Sequence, residues 1–186
     1  MLKLATDRLY LRPPQMDDAA AIAAALSRYE VAKDMAHVPH PYSLEDAKAW
    51  LERPPQVSPP YGQKFAIFTH EDQFCGMTGF TEREELPSLG YYMHPDFWGQ
   101  GLMTEANWAL IKWLFNGPGA AKITSGVFDY NIASLKVQQK LGFQTVGQSQ
   151  VQSLAQNKEF AHIDTELTKD AFENAAPTLA ALRKNT

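Results

Sequence analysis

Apolar and polar positions fall into short alternating stretches and longer stretches of helical period. Around Leu9 and Leu11 the residues alternate from Arg8 to Arg12 and stop at Pro13-Pro14, which predicts a first strand. Asp17-Asp18 leads into an alanine-rich helix to about Leu26, and a second helix is predicted over Ser43 to Glu52. Arg53 to Gly62 holds four prolines and a glycine and reads as a loop. Lys64 to His70 and Phe74 to Arg83 predict a hairpin turning near Glu71-Asp72, and Ser88 to His94 a further strand. From Thr104 to Phe115, Ala106, Leu110, Trp113 and Leu114 recur at helical spacing. Lys122 to Phe128 predicts a strand, Asn131 to Leu141 a helix closed by Gly142, and Phe143 to Ser153 with Phe160 to Thr168 a final strand pair. A terminal helix over Asp170 to Arg183 is expected, broken by Pro177.

The order strand, helix, strand, helix, strand in the middle requires a crossover and some parallel pairing, whereas the hairpins require antiparallel pairing. The expectation is a mixed-sheet α/β fold, with residues 1–186 as a single domain. With 186 residues, 45% of them hydrophobic, the chain can bury a real core. A net charge of -4 without clustered Lys and Arg argues against a nucleic-acid surface. No apolar run approaches membrane-span length, and Met1 stands directly before a strand-like segment rather than a signal peptide, so the cytoplasm is the expected compartment. Cys75, the single cysteine, sits in an apolar stretch and reads as packing.

Phe97 to Ala106 (FWGQGLMTEA) is the most informative segment. It places a glycine-bracketed turn between a strand and an amphipathic helix. A helix start carries N–H groups without intrahelical partners and a partial positive charge, so an anion can dock on main chain alone. Gly99 and Gly101 remove the side chains that would block its approach. A dinucleotide fold is the rival reading, but no third glycine follows at the expected place, and Ala120-Ala121 stand where an acidic ribose ligand would be sought. His37 and His40 lack a Cys or carboxylate set to complete a metal site and read as a loop pair; no metal is implied. Trp98, Trp108 and Trp113 read as core and rim packing, His94 and His162 as packed or exposed polar residues, and Trp50 and Tyr61 as a border of a substrate groove.

Three motifs in order, TDRLYLRP, LGYYMHPDFWGQGLMTEA and DYNIASLKVQQKLGF, make the chain resemble the GNAT superfamily of acyl-CoA-dependent N-acetyltransferases. Within it they look like the branch that acetylates the N-termini of ribosomal proteins. The likeness spans roughly Thr6 to Thr168. It implies a mostly antiparallel central sheet with helices on both faces and a V-shaped split between two parallel strands, the one ending at Met93 and Lys122 to Phe128. Acetyl-CoA would lie in that split as co-substrate. By the same resemblance, main-chain groups of Tyr91 and Met93 would meet the pantetheine arm and thioester. Amides across Gly99, Gln100, Gly101, Leu102, Met103 and Thr104, with Trp98 alongside, would hold the pyrophosphate, and Asn131 would touch the pantetheine.

Several positions depart from the family pattern. Trp98 stands where many members carry Gln or Arg, and Met103 where Gly or Ala is usual. Gln138 occupies the position of a tyrosine that many relatives use as general acid, which leaves Ser134 as the favoured proton donor. Positions where relatives often place a basic glutamate read Ser88 and Gly126, and a loop position used in part of the branch falls near Ser153. Glu82, Glu84 and Glu85 are the nearby carboxylates; Glu82 and Glu85 are carried as candidate catalytic residues, although each also reads as a solvated strand end.

Acetyl transfer needs a neutral amine, donors for the developing oxyanion and a proton for the departing thiolate. Neutralising a lysine amine at pH 7 costs roughly 4.6 kcal/mol, against roughly 1 kcal/mol for an α-amine. The expected acceptor is therefore an α-amine of a peptide or protein, or another amine of low pKa, with proton loss through water. A small-amine acetyltransferase and a domain that holds acetyl-CoA without turnover stay open as alternatives. The sequence leaves the oligomeric state open, a dimer included.

Overall fold

The computed structural model describes residues 2–53 and 62–175. The element order is β1 (Leu4–Ala5), β2 (Leu9–Arg12), α1 (Ala19–Leu26), α2 (Tyr29–Ala32), α3 (Leu44–Leu51), β3 (Lys64–Thr69), β4 (Phe74–Arg83), β5 (Leu86–Met93), α4 (Leu102–Asn116), β6 (Lys122–Phe128), α5 (Ile132–Leu141), β7 (Gln144–Ser153) and β8 (Lys158–Thr168). A last helical segment, α6, covers 169–175. The strands form one eight-stranded sheet in the order β1-β2-β3-β4-β5-β6-β8-β7. Every neighbouring pair is antiparallel except β5 and β6, which run parallel.

The sheet is covered on both faces. On one, Leu9, Leu11, Phe65, Ile67, Leu89 and Ile123 pack against Ala106, Leu110, Ile111 and Leu114 of α4 and Leu141 of α5. On the other, Met77 joins Ile22 and Leu26 of α1 and Ala47 of α3, with Phe74 and Tyr92 packed against them. Side chains of an undisturbed strand alternate between faces. In β4 the parity changes at Gly76: Phe74 and Met77 lie with one cluster, Cys75 and Phe80 with the other. The register skips Cys75, Ile67 facing Gly76 and Phe68 facing Phe74, so Cys75 and Gly76 form a bulge, and the Gly76 φ of 154° is a backbone region that only glycine adopts readily.

Local chemistry explains the helix ends. Ser43 caps α3 in a reciprocal box with Asp46, so the helix proper starts one residue after the predicted Ser43. Asn131 caps α5, whose other end stops at Gly142 with φ 96°. The helix predicted from Thr104 begins two residues earlier, at Leu102, because Gly101 already ends the turn in a left-handed conformation (φ 75°). β8 begins at Lys158 rather than Phe160. The terminal helix is present over 169–175, and its predicted remainder lies outside the described residues, as do Tyr61 and most of the proline-rich loop. Cys75 is fully buried, as its packing role requires, and burial pushes its thiol up to about 11.

Candidate active site

β5 and β6 touch in register at one point, Ser88 opposite Thr124. Below it, Ser125 Oγ donates to the Leu89 carbonyl at 2.8 Å. Beyond it the strands part, and Leu89 to Met93 on one side and Ser125 to Phe128 on the other line a cavity of about 540 Å³. Its remaining walls come from the glycine turn and first residues of α4, from Asn131, Ser134 and Val137, from His162 of β8, from Glu30 and Val31 of α2, and from Asp34, Met35 and Ala36 after it.

The turn has the features of an anion cradle. Pro95–Phe97 forms a single 3₁₀ turn, Gly99 and Gly101 follow at φ 74° and 75°, and the first helical bond runs from Glu105 N to the Gly101 carbonyl. The amides of Leu102, Met103 and Thr104 thus precede the helical ladder of a 15-residue helix. A Cβ at Gly99 would meet nothing within 4 Å, and one at Gly101 only an Arg8 nitrogen at 3.8 Å, so backbone is open on that side. These residues fit a pyrophosphate held by main chain.

An ion pair holds the turn from behind. Glu105, in the first turn of α4, accepts from Thr6 Oγ1 at 2.6 Å, Arg8 N at 3.0 Å and Arg8 Nε at 2.8 Å. Arg8 then donates to the Gln100 carbonyl at 3.0 Å. Burial alone would raise the Glu105 pKa, but the bonds from Thr6 and Arg8 prevail and hold it below its usual range. The TDRL segment therefore fixes the curvature of a loop about a hundred residues away, a role no local spacing announces. Gln100 differs from its neighbours in the turn: its side chain folds back to the Asp96 carbonyl, and it does not line the cavity.

Tyr91, Met93, Trp98, Gly99, Gly101, Leu102, Met103, Thr104 and Asn131 all line it. Trp98 is 48% exposed, yet its indole N–H donates to the Met93 carbonyl at 2.8 Å, so this rim residue fastens the turn to the end of β5. Met103, the other departure, packs into the core. Asn131 Oδ1 accepts from the Ser134 amide at 3.0 Å.

Ser134 Oγ lies 2.8 Å from the Tyr91 hydroxyl, which also reaches the Ser134 carbonyl at 3.2 Å. Burial pushes the phenol up to about 12, so it stays protonated near neutrality. The sequence drew attention to the Tyr91 main chain; its hydroxyl supports Ser134 from the adjacent strand. Gln138, at the family's tyrosine position, is buried and donates to Ser125 Oγ at 2.9 Å while accepting from Thr165 Oγ1 at 2.7 Å. It ties α5 to β6 and β8.

The candidate carboxylates Glu82, Glu84 and Glu85 stand at the exposed tip of the β4–β5 hairpin, where Arg83 pairs with Leu86, and the structure does not bring them to the cavity. The reason is register: the cavity follows the C-terminal half of β5, the tip precedes its first residue. Ser153 is fully buried and faces the Lys33 carbonyl at 3.4 Å. Trp50 is half-buried against the α1–α3 cluster. Two carboxylates do line the cavity, Glu30 and Asp34, both missed by sequence reading; Glu30 pairs with Arg28 at 2.7 Å, whereas the buried Oδ1 of Asp34 has no hydrogen-bond partner among the described residues, and burial raises its pKa.

Comparison with known proteins agrees with this geometry. The chain is 28% identical over 153 residues to the uncharacterized N-acetyltransferase YoaA of Bacillus subtilis, covering 77% of this chain and 84% of that one. Among solved structures, the ribosomal-protein-S5-alanine acetyltransferase of Vibrio fischeri superposes with a TM-score of 0.76 at 21% identity, covering 92% of this chain and 99% of its own. RimL, a ribosomal L7/L12 α-N-protein acetyltransferase in complex with coenzyme A, superposes at 0.73 and 16% identity, covering 91% and 99%. The model of the acetyltransferase (GNAT) domain matches residues 8–144, and with the parted parallel strands and glycine turn in place, this chain belongs to the GNAT acetyltransferase family, whose reaction is acetyl-CoA-dependent N-acetylation.

Proposed function

We propose that this N-acetyltransferase acts on the α-amine of a peptide or protein N-terminus. The observation that carries the reading is Asp34: an unpartnered carboxylate oxygen, buried in the wall of the cavity, which an incoming ammonium would supply with the donor it lacks. The low cost of neutralising an α-amine, roughly 1 kcal/mol at pH 7 against roughly 4.6 for lysine, favours the N-terminal group. The likeness in fold to ribosomal-protein acetyltransferases supports a protein acceptor.

Acetyl-CoA would be held by the amides of the glycine turn, with Asn131 beside its arm, and supplies the activated acetyl thioester. The chain does the rest. Its cavity wall, formed largely by Leu89, Tyr91, Val127 and Phe128, excludes water from the reacting centre. Asp34 draws the ammonium inward, and Ser134, hydrogen-bonded to a protonated Tyr91, gives a proton to the departing sulfur.

Rates on two matched peptides, one with a free N-terminus and one with a blocked N-terminus and an internal lysine, test the acceptor class. A clear preference for the free N-terminus is expected; preference for lysine, or for polyamines in a parallel panel, overturns it. Asp34→Asn is expected to raise the acceptor KM about tenfold, the loss of one charge-assisted contact, with coenzyme affinity unchanged. Ser134→Ala should lower kcat about tenfold and leave KM in place, because a thiolate leaves without help more readily than an alkoxide.

A further inference from the structure

An ammonium drawn to Asp34 must still lose a proton before its nitrogen can attack, and Glu30, the one glutamate lining the cavity among the described residues, is held in an ion pair with Arg28. We propose that His162, oriented by Asp164, is the group that takes this proton; the proposal rests on the reading that the enzyme acetylates an amine in this cavity.

The argument starts from register. β6 and β8 pair with Phe128 opposite His162 and Gly126 opposite Asp164, so all four positions share one face of the sheet. Ser125, the neighbour of Gly126, bonds Gln138 of α5, so this shared face is the other one, turned away from α5. Gly126 contributes no side chain there, and the imidazole occupies the space: a Cβ on Gly126 would stand 2.1 Å from His162 Cε1. The ring is thus laid over the strand that forms one arm of the split, and it lines the cavity.

Its orientation is fixed on two sides. Phe128 packs against it edge-on at 5.8 Å between centroids, and Nδ1 lies 2.9 Å from Asp164 Oδ1. Ser149 Oγ donates to the same carboxylate oxygen at 3.0 Å, which anchors Asp164 from β7. A carboxylate can only accept, so Nδ1 carries the hydrogen of the neutral ring and Nε2 presents the lone pair. The other charged groups lining the cavity are Glu30 and Asp34 near α2 and Lys136 and Lys140 of α5. Among the described groups lining the cavity, His162 is the one ring nitrogen base, and Asp164 already stands in hydrogen-bond reach to offset the charge of a gained proton.

The protons balance. The ammonium gives one to Nε2, its nitrogen bonds the acetyl carbon, the carbon–sulfur bond breaks, and the nitrogen sheds a second proton. One proton ends on the sulfur by way of Ser134, and the other leaves from the imidazolium to solvent. Asp164 is a positioning residue in this scheme: it acts on the amine through His162.

His162→Gln keeps a polar side chain and removes the base. Two acceptors of one peptide sequence separate the roles, one ending in an ordinary α-amine and one in a hydrazide that is already neutral at pH 7. The expected result is a loss of about a hundredfold in kcat/KM on the amine and only a few-fold on the hydrazide, with coenzyme affinity unchanged as the check on folding. Gly126→Ala, which keeps the imidazole but displaces it, should show the same split, and the double variant should be no worse than His162→Gln alone. Nitrogen NMR of the free protein gives a readout apart from turnover: His162 should be protonated on Nδ1, and Asp164→Asn should abolish that preference. Equal losses on both acceptors, no loss on either, or a hydrogen on Nε2 would overturn the proposal. A wild-type enzyme that binds coenzyme but acetylates no amine would overturn the functional reading as well, which keeps the two failures distinct.

Discussion

Glu105→Ala is expected to destabilise the protein by about 3 kcal/mol, because removing the buried carboxylate leaves the three donors it served without their acceptor. Those groups are the Thr6 hydroxyl, the Arg8 amide and the Arg8 guanidinium. Thr6 and Leu9 also bond one another, so the start of β2 loosens with them. The same change should weaken coenzyme binding by about tenfold, since Arg8 would no longer hold the Gln100 carbonyl and the turn would not be preset for a diphosphate. Thermal unfolding and titration calorimetry with coenzyme measure the two effects. The pH dependence has a definite sign. The Glu105 pKa is lowered from 4.5 on folding, so its contribution is complete above that value and is lost as pH falls through the folded pKa. Wild type and Glu105→Gln should therefore converge in stability toward acid and differ most at neutral pH.

Gly76→Ala should be at least as damaging, by about 3 kcal/mol or more. The new Cβ would lie 2.2 Å from the Tyr92 carbonyl oxygen and 2.8 Å from Met93 Cα, both backbone, at a φ of 154° that side chains avoid. Relief is available only by prying β4 from β5. Tyr92 and Met93 line the cavity, so the variant should lose acetyl transfer even where it still folds. Soluble yield, unfolding midpoint and residual kcat/KM report the outcome; a variant with wild-type stability and rate would show that the bulge is not required.

Features of this enzyme encoded in consecutive residues were legible in its sequence. Alternation marked β2, hairpin signals marked β3 and β4, Asn131 and Gly142 marked the ends of α5, and paired glycines marked the turn before α4. β1 and α2 were not seen because two and four residues span too little of any period. The proton-handling and recognition groups were harder. Asp34 follows a single helical turn and carries no pattern; it becomes notable only when its oxygen is found buried. His162 in a strand looks like any polar residue until β8 pairs with β6 and sets it over Gly126. Glu82 and Glu85 show the converse: near β5 in sequence, they stand at the end of it away from the cavity. Gln138, in the place of a family tyrosine, proved a buried tie between helix and sheet.

The insertion of β8 between β6 and β7 has a consequence for synthesis. A chain leaving the ribosome completes the glycine turn and β6 well before residues 158–168 emerge. Through that interval β6 is fastened to β5 at a single register point, and its opposite edge of N–H and C=O groups is bare. β7 arrives first but cannot satisfy it, because its place in the finished sheet is one strand further out. Until β8 inserts, the sheet thus ends at an unpaired strand, the kind of edge that invites pairing with another chain.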